Sequence, residues 1–338
     1  MEKLVKAANG LIAKIKLWFY NLRVKIYQKR PKSQKKSKGS INGRGAKFFY
    51  AAILFFPLLQ FLIFYIFVNI NSILLSFQQF DMVSGKFTFL GADNFKAFLN
   101  DLVNDPIIIK ATFNSLTLYL VGLLIGLPLN IIFSYFLYKK IPLHGFYRII
   151  LFLPQIISSM VISLMFKFFV ERGLPGILNI FNITNANNLI TRADTAFKTI
   201  IFYTGWSSFG TQIIIFSSAM SRVPQTLIEA GKIDGLTAFK EFWHITLPLI
   251  FPTITTFLVV GVAGLFTSQA GLYDFFGSQA PYHTYTYGYF LFVKVIGDAN
   301  VVNYPYASAA GIIFTMIAAP LTLIAKFLLE KFGPTVEY

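Results

Sequence analysis

Six uncharged apolar runs constrain this chain more than any other feature of its sequence. They are Phe48–Gln79, Ala111–Tyr138, Ile149–Phe166, Thr199–Ser221, Ile245–Tyr273 and Ala299–Ala325. A helix needs about 20 apolar residues to cross the hydrocarbon core of a bilayer, and one charge at its centre costs roughly 2.5–3.5 kcal/mol. Every run clears or approaches that length without a charge. Only 13% of the whole chain is charged, against about 25% in a soluble domain. The sequence therefore predicts an all-α integral membrane protein with six transmembrane helices. An even number of crossings puts both termini on one side.

Lys and Arg orient the spans. Residues 1–47 hold fourteen of them against the single acid Glu2, a net charge of +13, while the remaining residues are nearly balanced at +3. Segments 1–47, 139–148, 222–244 and the C-terminus share one side and carry 22 of the 30 Lys and Arg. That side is expected to be cytoplasmic. The basic N-terminus accordingly reads as a topology signal and not as a nucleic-acid tail. Residues 1–46 form a basic cytoplasmic segment and linker, and residues 47–338 the six-helix transmembrane domain. Leu4, Ala8, Leu11, Ile15, Trp18 and Leu22 recur at helical spacing, as in an amphipathic helix lying on the inner leaflet. Residues 1–30 interleave Lys with apolar residues and give no clean apolar core, so no cleaved signal peptide is expected. The external loops are Phe80–Lys110, Lys167–Lys198 and Asp274–Asp298. The first carries a short amphipathic piece, Asn94–Leu102.

Much chemistry is excluded. There is no Cys, hence no disulfide, thiolate zinc site or Cys nucleophile. His144, His244 and His283 fall on different loops and make no metal set. No G-x-x-x-x-G-K-[ST] phosphate loop occurs, so the chain is not expected to hydrolyse ATP itself. No charge lies deep in a run, which argues against a proton or ion relay and suits a neutral substrate.

One loop is far more elaborate than a turn requires. "TLIEAGKIDGLTAFKEFWHITLPLIFP", Thr226–Pro252, lies between the fourth and fifth runs on the predicted cytoplasmic side. Pro224 suits the first turn of a helix, and Gly235 after Asp234 suits a left-handed cap that ends it. A second short helix is expected over Thr237–His244, with Phe239, Phe242 and Trp243 on one face. Such a knob can seat in a partner's groove or lie at the interface without a partner.

The stretch resembles the EAA loop of permease subunits in ATP-binding-cassette importers, whose pattern is E-A-A, three residues, G, nine residues, then I-x-L-P. Here it reads Glu229-Ala230-Gly231, three residues, Gly235, nine residues, then Ile245-Thr246-Leu247-Pro248, with Gly231 in place of Ala. The Asp before the Gly and the "ITLPL" ending are similar to carbohydrate importers of the maltose type. "FDMVSGKFTFLGADNFKAF" and "YRIILFLPQIISSMVISLMFKFF" resemble the first external loop and third span of that class. The resemblance covers about residues 48–332.

It implies a type I importer permease fold in a bacterial cytoplasmic membrane. The subunit would pair with a second homologous permease above two ATPase subunits, and an external substrate-binding protein would deliver a neutral carbohydrate. ATP and Mg²⁺ would be bound by the ATPase subunits, leaving this chain no cofactor and no catalytic residue. Glu229, Ala230, Gly231, Asp234 and Gly235, within the coupling loop of about 222–248, would dock on the ATPase. A sugar wants hydrogen-bonding and aromatic side chains near the midplane. The candidates are Gln155 and Ser159 in the third run, Ser208, Thr211 and Gln212 in the fourth, and Ser268 and Gln269 in the fifth. Each is equally suited to an interhelical polar contact. A glycerol-phosphate ester or a peptide on the same scaffold, and an ATPase-independent secondary carrier, are the alternatives.

Overall fold

A computed structural model describes residues 44–181, 188–297 and 300–334. The amphipathic segment expected near the N-terminus lies outside the described residues. The chain divides into two units, Met1–Phe67 and Val68–Tyr338. In the first, helix α1 (Arg44–Gln60) leads into a wide π turn, Phe61–Phe67.

The second unit opens with α2 (Val68–Ser76) and a hairpin of β1 (Gln78–Asp81) and β2 (Lys86–Phe89), which pairs Gln78 with Phe89 and Asp81 with Lys86. Asp81 closes the turn by accepting from the Ser84 hydroxyl at 2.7 Å and the Val83 N–H at 2.9 Å. Those bonds, the Ser84 one foremost, hold its carboxyl below the ordinary range. Helix α3 (Asp93–Asn104) realises the predicted amphipathic piece. Its Phe98 is fully buried, and Asn94 donates to the carbonyls of Ser76 and Gln78. Asp105 then caps α4 (Pro106–Val121) by accepting from the Ile107 N–H, with Pro106 in the first turn.

Helix α4 continues through the π turn Gly122–Gly126 into α5 (Leu127–Tyr138). Next come α6 (His144–Ile156), α7 (Ser159–Phe168), the π turn Phe169–Gly173 and α8 (Leu174–Ile180). Then follow α9 (Ala196–Met220), α10 (Gln225–Ile233), α11 (Ala238–Glu241), the π turn Phe242–Thr246 and α12 (Leu247–Ala263). Short helices α13 (Leu272–Phe276) and α14 (Tyr287–Phe292) precede α15 (Tyr304–Phe332). Three of these π turns stand directly before a Leu-Pro pair: Leu127-Pro128, Leu174-Pro175 and Leu247-Pro248. Proline has no N–H for the carbonyl four residues back, and its ring collides with that carbonyl. Adding one residue to the preceding turn, closed by the Leu N–H reaching five residues back, lets each helix continue without a break.

Among the described residues, four helical stretches are long and apolar enough to cross a membrane: Phe48–Ser76, Pro106–Tyr138, Ala238–Ala263 and Val301–Phe332. They carry the first, second, fifth and sixth runs. The third run is not one helix. It breaks between α6 and α7 with a bend of 105°, where Ile157 and Ser158 are extended after Pro154 and before Ser159. Proline and paired serines are recurrent causes of such kinks. Counting the bent pair as one span gives five. The fourth run lies in α9, which has the length at 25 residues, but its Thr, Ser, Gly and Gln keep it outside that set.

Two buried clusters bracket the second unit. One gathers Phe98, Phe266, Tyr287 and Phe314. The other joins Tyr135 of α5, Phe216 and Met220 of α9 and Ile250 of α12 to Val223, Ile228 and Phe242 of the loop that carries the EAA pattern. Helices α6 and α9 touch backbone to backbone at Gly210, where a Cβ would collide with the Leu151 carbonyl and come within 2.8 Å of Phe152 Cα.

Candidate functional site

The 222–248 loop is a helical hairpin closed by glycine. Helix α10 ends in a Schellman arrangement: the Gly235 N–H donates to Lys232 O at 3.1 Å and the Leu236 N–H to Gly231 O at 2.9 Å. Gly235 has φ +75°, as its predicted capping role demands. Pro224 stands one position before α10 as its N-cap. Gly231 is buried beneath the hairpin, and a Cβ there would lie 2.9 Å from both Ile245 Cδ1 and Leu236 Cδ1. Both are rotatable side-chain ends, so Gly231 lets α10 sit close on the second arm without forbidding a methyl group.

Ile228 and Gly231 face inward, while Glu229, Ala230, Asp234 and Gly235 are all exposed. Beside them Ile233 is 87% and Phe239 73% exposed. The hairpin thus presents two carboxylates flanked by large apolar side chains, a composition that suits a protein partner. The second arm differs from the sequence expectation. It is not a separate helix over 237–244: α11 runs through the π turn Phe242–Thr246 into α12. The wide turn also divides the three aromatics. Phe239 and Trp243 stay exposed with rings 6.2 Å apart, whereas Phe242 turns inward against Tyr135 at 4.8 Å.

A buried ionic contact roots this arm. Glu241 is 4% exposed, and Lys139, the residue that ends α5, donates to both its carboxylate oxygens at 2.6 Å. The Tyr135 hydroxyl donates to Ala238 O at 2.8 Å. None of the three was singled out from the sequence. The available signal was Glu241 itself, an acid set among aromatics seven residues before Pro248.

A second feature lies at mid-length of Pro106–Tyr138 and of α9. It is a cleft of about 650 Å³ bounded by α4, α5, α9 and the residues that follow α12. Of the sequence candidates it gathers Ser208, Gln212 and Ser268. Gln155, Ser159, Thr211 and Gln269 do not line it. Gln155 donates to the Ser207 carbonyl and so ties α6 to α9, and Ser159 begins α7 beyond the bend. Asn130 lines the cleft and was missed. It is 2% exposed, and its amide donates to Gly126 O at 2.7 Å and Gln212 Oε1 at 2.8 Å, while its Oδ1 accepts no hydrogen bond among the described residues. A lone Asn inside an apolar run was the sequence signal. Tyr119, Trp206 and Phe209 supply aromatic faces, and Lys198 is the only charged residue of the described lining. A largely apolar cleft with a few convergent polar groups is the usual form of a small-molecule site.

A bundle of membrane-length helices around a cleft, with an exposed hairpin rooted at one end, describes a membrane transport subunit. The chain belongs to the family of binding-protein-dependent transport system inner membrane components, whose model matches residues 122–338. The multiple sugar-binding transport system permease protein MsmF of Streptococcus mutans is 25% identical over 287 residues, 85% of this chain and 97% of that protein. The arabinooligosaccharides transport system permease protein AraP of Bacillus subtilis is 25% identical over 284 residues, 81% of this chain and 86% of AraP. In fold, the chain is similar to a crystal structure of a bacterial ABC transporter that imports the acidic polysaccharide alginate. The TM-score is 0.72 at 22% identity, covering 85% of this chain and 97% of that one.

Proposed function

We propose that this chain is a permease subunit of an ATP-driven importer for a carbohydrate, an oligosaccharide or glycoside handed over by an external binding protein. It is a transport subunit and performs no catalysis. Two similar sugar permeases and an alginate importer support the substrate class, the latter also known in complex with a pentasaccharide-bound periplasmic protein. The observation that carries the reading is the exposed set Glu229, Ala230, Asp234 and Gly235 on a capped hairpin rooted in the helices. This surface docks on an ATPase subunit, and ATP with its Mg²⁺ is held there and not in this chain. A second homologous permease completes the pathway. The four membrane-length helices, the bent α6–α8 pair and α9 make six crossings of a bacterial cytoplasmic membrane, with both termini inside as the Lys and Arg distribution requires.

In the cleft, Asn130 Oδ1 accepts a sugar hydroxyl, and Gln212, Ser208 and Ser268 are within the same wall. Uptake into vesicles holding both permeases and both ATPases tests the reading. It must require internal ATP and the loaded binding protein together. Uptake by this chain alone down a substrate gradient would instead establish a secondary carrier. Lys198 favours a second reading, a saccharide bearing a carboxylate. In that case Lys198→Gln lowers uptake of acidic sugars and spares neutral ones.

A further inference from the structure

The loop is joined to the helices by more than the chain itself. Its second arm continues covalently into α12, but the Glu241 carboxylate on that arm is held by Lys139 at the end of α5. Glu241 is 5% exposed at its side chain and Lys139 27%. Thr246 Oγ1 lies 3.5 Å from Glu241 Oε1, and the Lys139 ammonium stands over the Tyr135 and Tyr138 rings at 5.4 and 5.5 Å. Tyr135 adds its hydroxyl bond to Ala238 O and its ring contact with Phe242. Exposed ion pairs separate easily because water replaces the partner; a desolvated, two-oxygen contact does not, since parting leaves a buried charge unpaired.

Helix α5 is also the wall of the cleft. It starts at Leu127, directly after the π turn Gly122–Gly126, and carries Asn130. The path from exposed hairpin to cleft wall is therefore one helix long. We propose that the Lys139–Glu241 pair, seconded by the Tyr135–Ala238 bond, is the joint through which movement of the 222–248 hairpin displaces α5 and reshapes the cleft. This rests on the reading of that hairpin as the ATPase contact. A hairpin tethered only through α12 would swing about the wide turn Phe242–Thr246. The ionic tether to α5 makes α5 and α12 move with it together.

The test uses the whole complex, both permeases with both ATPases, reconstituted with the binding protein. Lys139→Glu sets two carboxylates against each other, and Lys139→Glu with Glu241→Lys restores an attractive pair. Expected for Lys139→Glu is a complex that co-purifies with its ATPases and keeps basal ATP hydrolysis, while stimulation by the loaded binding protein and uptake both fall at least tenfold. The double variant recovers at least a third of each. Tyr135→Phe, which removes one hydroxyl, lowers stimulation by a factor of two to five. Stimulation within twofold of the native value in Lys139→Glu overturns the proposal. So does loss of ATPase co-purification in that variant, which would make the pair a scaffold of the docking surface and no transmitting joint. A double variant as inactive as the single one overturns it as well. Failure of the underlying reading is separate: the unaltered chain would bring down no ATPase at all.

Discussion

Gly235 allows backbone geometry to be separated from partner contact. It sits at φ +75° and nothing lies within 4 Å of a Cβ added there. Alanine therefore meets no clash inside this chain and suffers only the left-handed conformation, about 1–2 kcal/mol for an L residue. Asparagine tolerates that region and loses less. A shift of about 1.4 kcal/mol is a tenfold change in the equilibrium between capped and frayed hairpin. ATP-driven uptake in reconstituted vesicles should fall in the order Gly235, Asn, Ala, with no more than roughly a tenfold loss for Ala, since the cap is the only thing disturbed. Hydrogen exchange at the Leu236 amide, which closes the cap onto Gly231 O, should quicken in the same order. Abolished uptake in both variants with unchanged exchange at Leu236 would refute this reasoning. Glycine would then be demanded by the close approach of a partner and not by the turn.

Three further outcomes follow from single sites. Gly231→Ala gains about 1 kcal/mol of helix propensity against a displacement of the Ile245 and Leu236 methyls, so thermal stability and uptake should stay near native. Gly288→Ala places a methyl on the Thr267 carbonyl and within 2.8 Å of Ser268 O; overpacking of this kind costs about 1–3 kcal/mol and should appear as a lowered melting temperature in detergent. Asn130→Ala removes the amide bonds to Gly126 O and Gln212 Oε1 and the acceptor offered to substrate. The half-saturating substrate concentration for uptake should rise about tenfold, the worth of a single hydrogen bond at the upper end of its usual range.

The loop was legible in sequence because its determinants are local. Gly235 after Asp234 specifies a left-handed cap, and the structure contains it. The hidden parts are those where one residue's surroundings come from another helix. Phe242 could not be told from Phe239 and Trp243 by helical spacing, since the π turn that rotates it inward exists only to accommodate Pro248. The recurring Leu-Pro pairs did carry that information. Lys139 and Glu241 lie about a hundred positions apart, and nothing in either neighbourhood predicts the other. The seven candidate polar residues were chosen by type alone. Facing direction decides which of them reach the cleft, and that depends on the break after Pro154 and the tight crossing at Gly210.

The central claim is that the exposed face of the 222–248 hairpin meets an ATPase. The chain contains no cysteine, so Ala230→Cys, at an exposed position beside Glu229, provides a single attachment point for a short photo-crosslinker in intact membranes. The account predicts a crosslinked product containing an ATP-binding subunit, diminished when Glu229→Arg is added. A product containing only lipid or the external binding protein would contradict it.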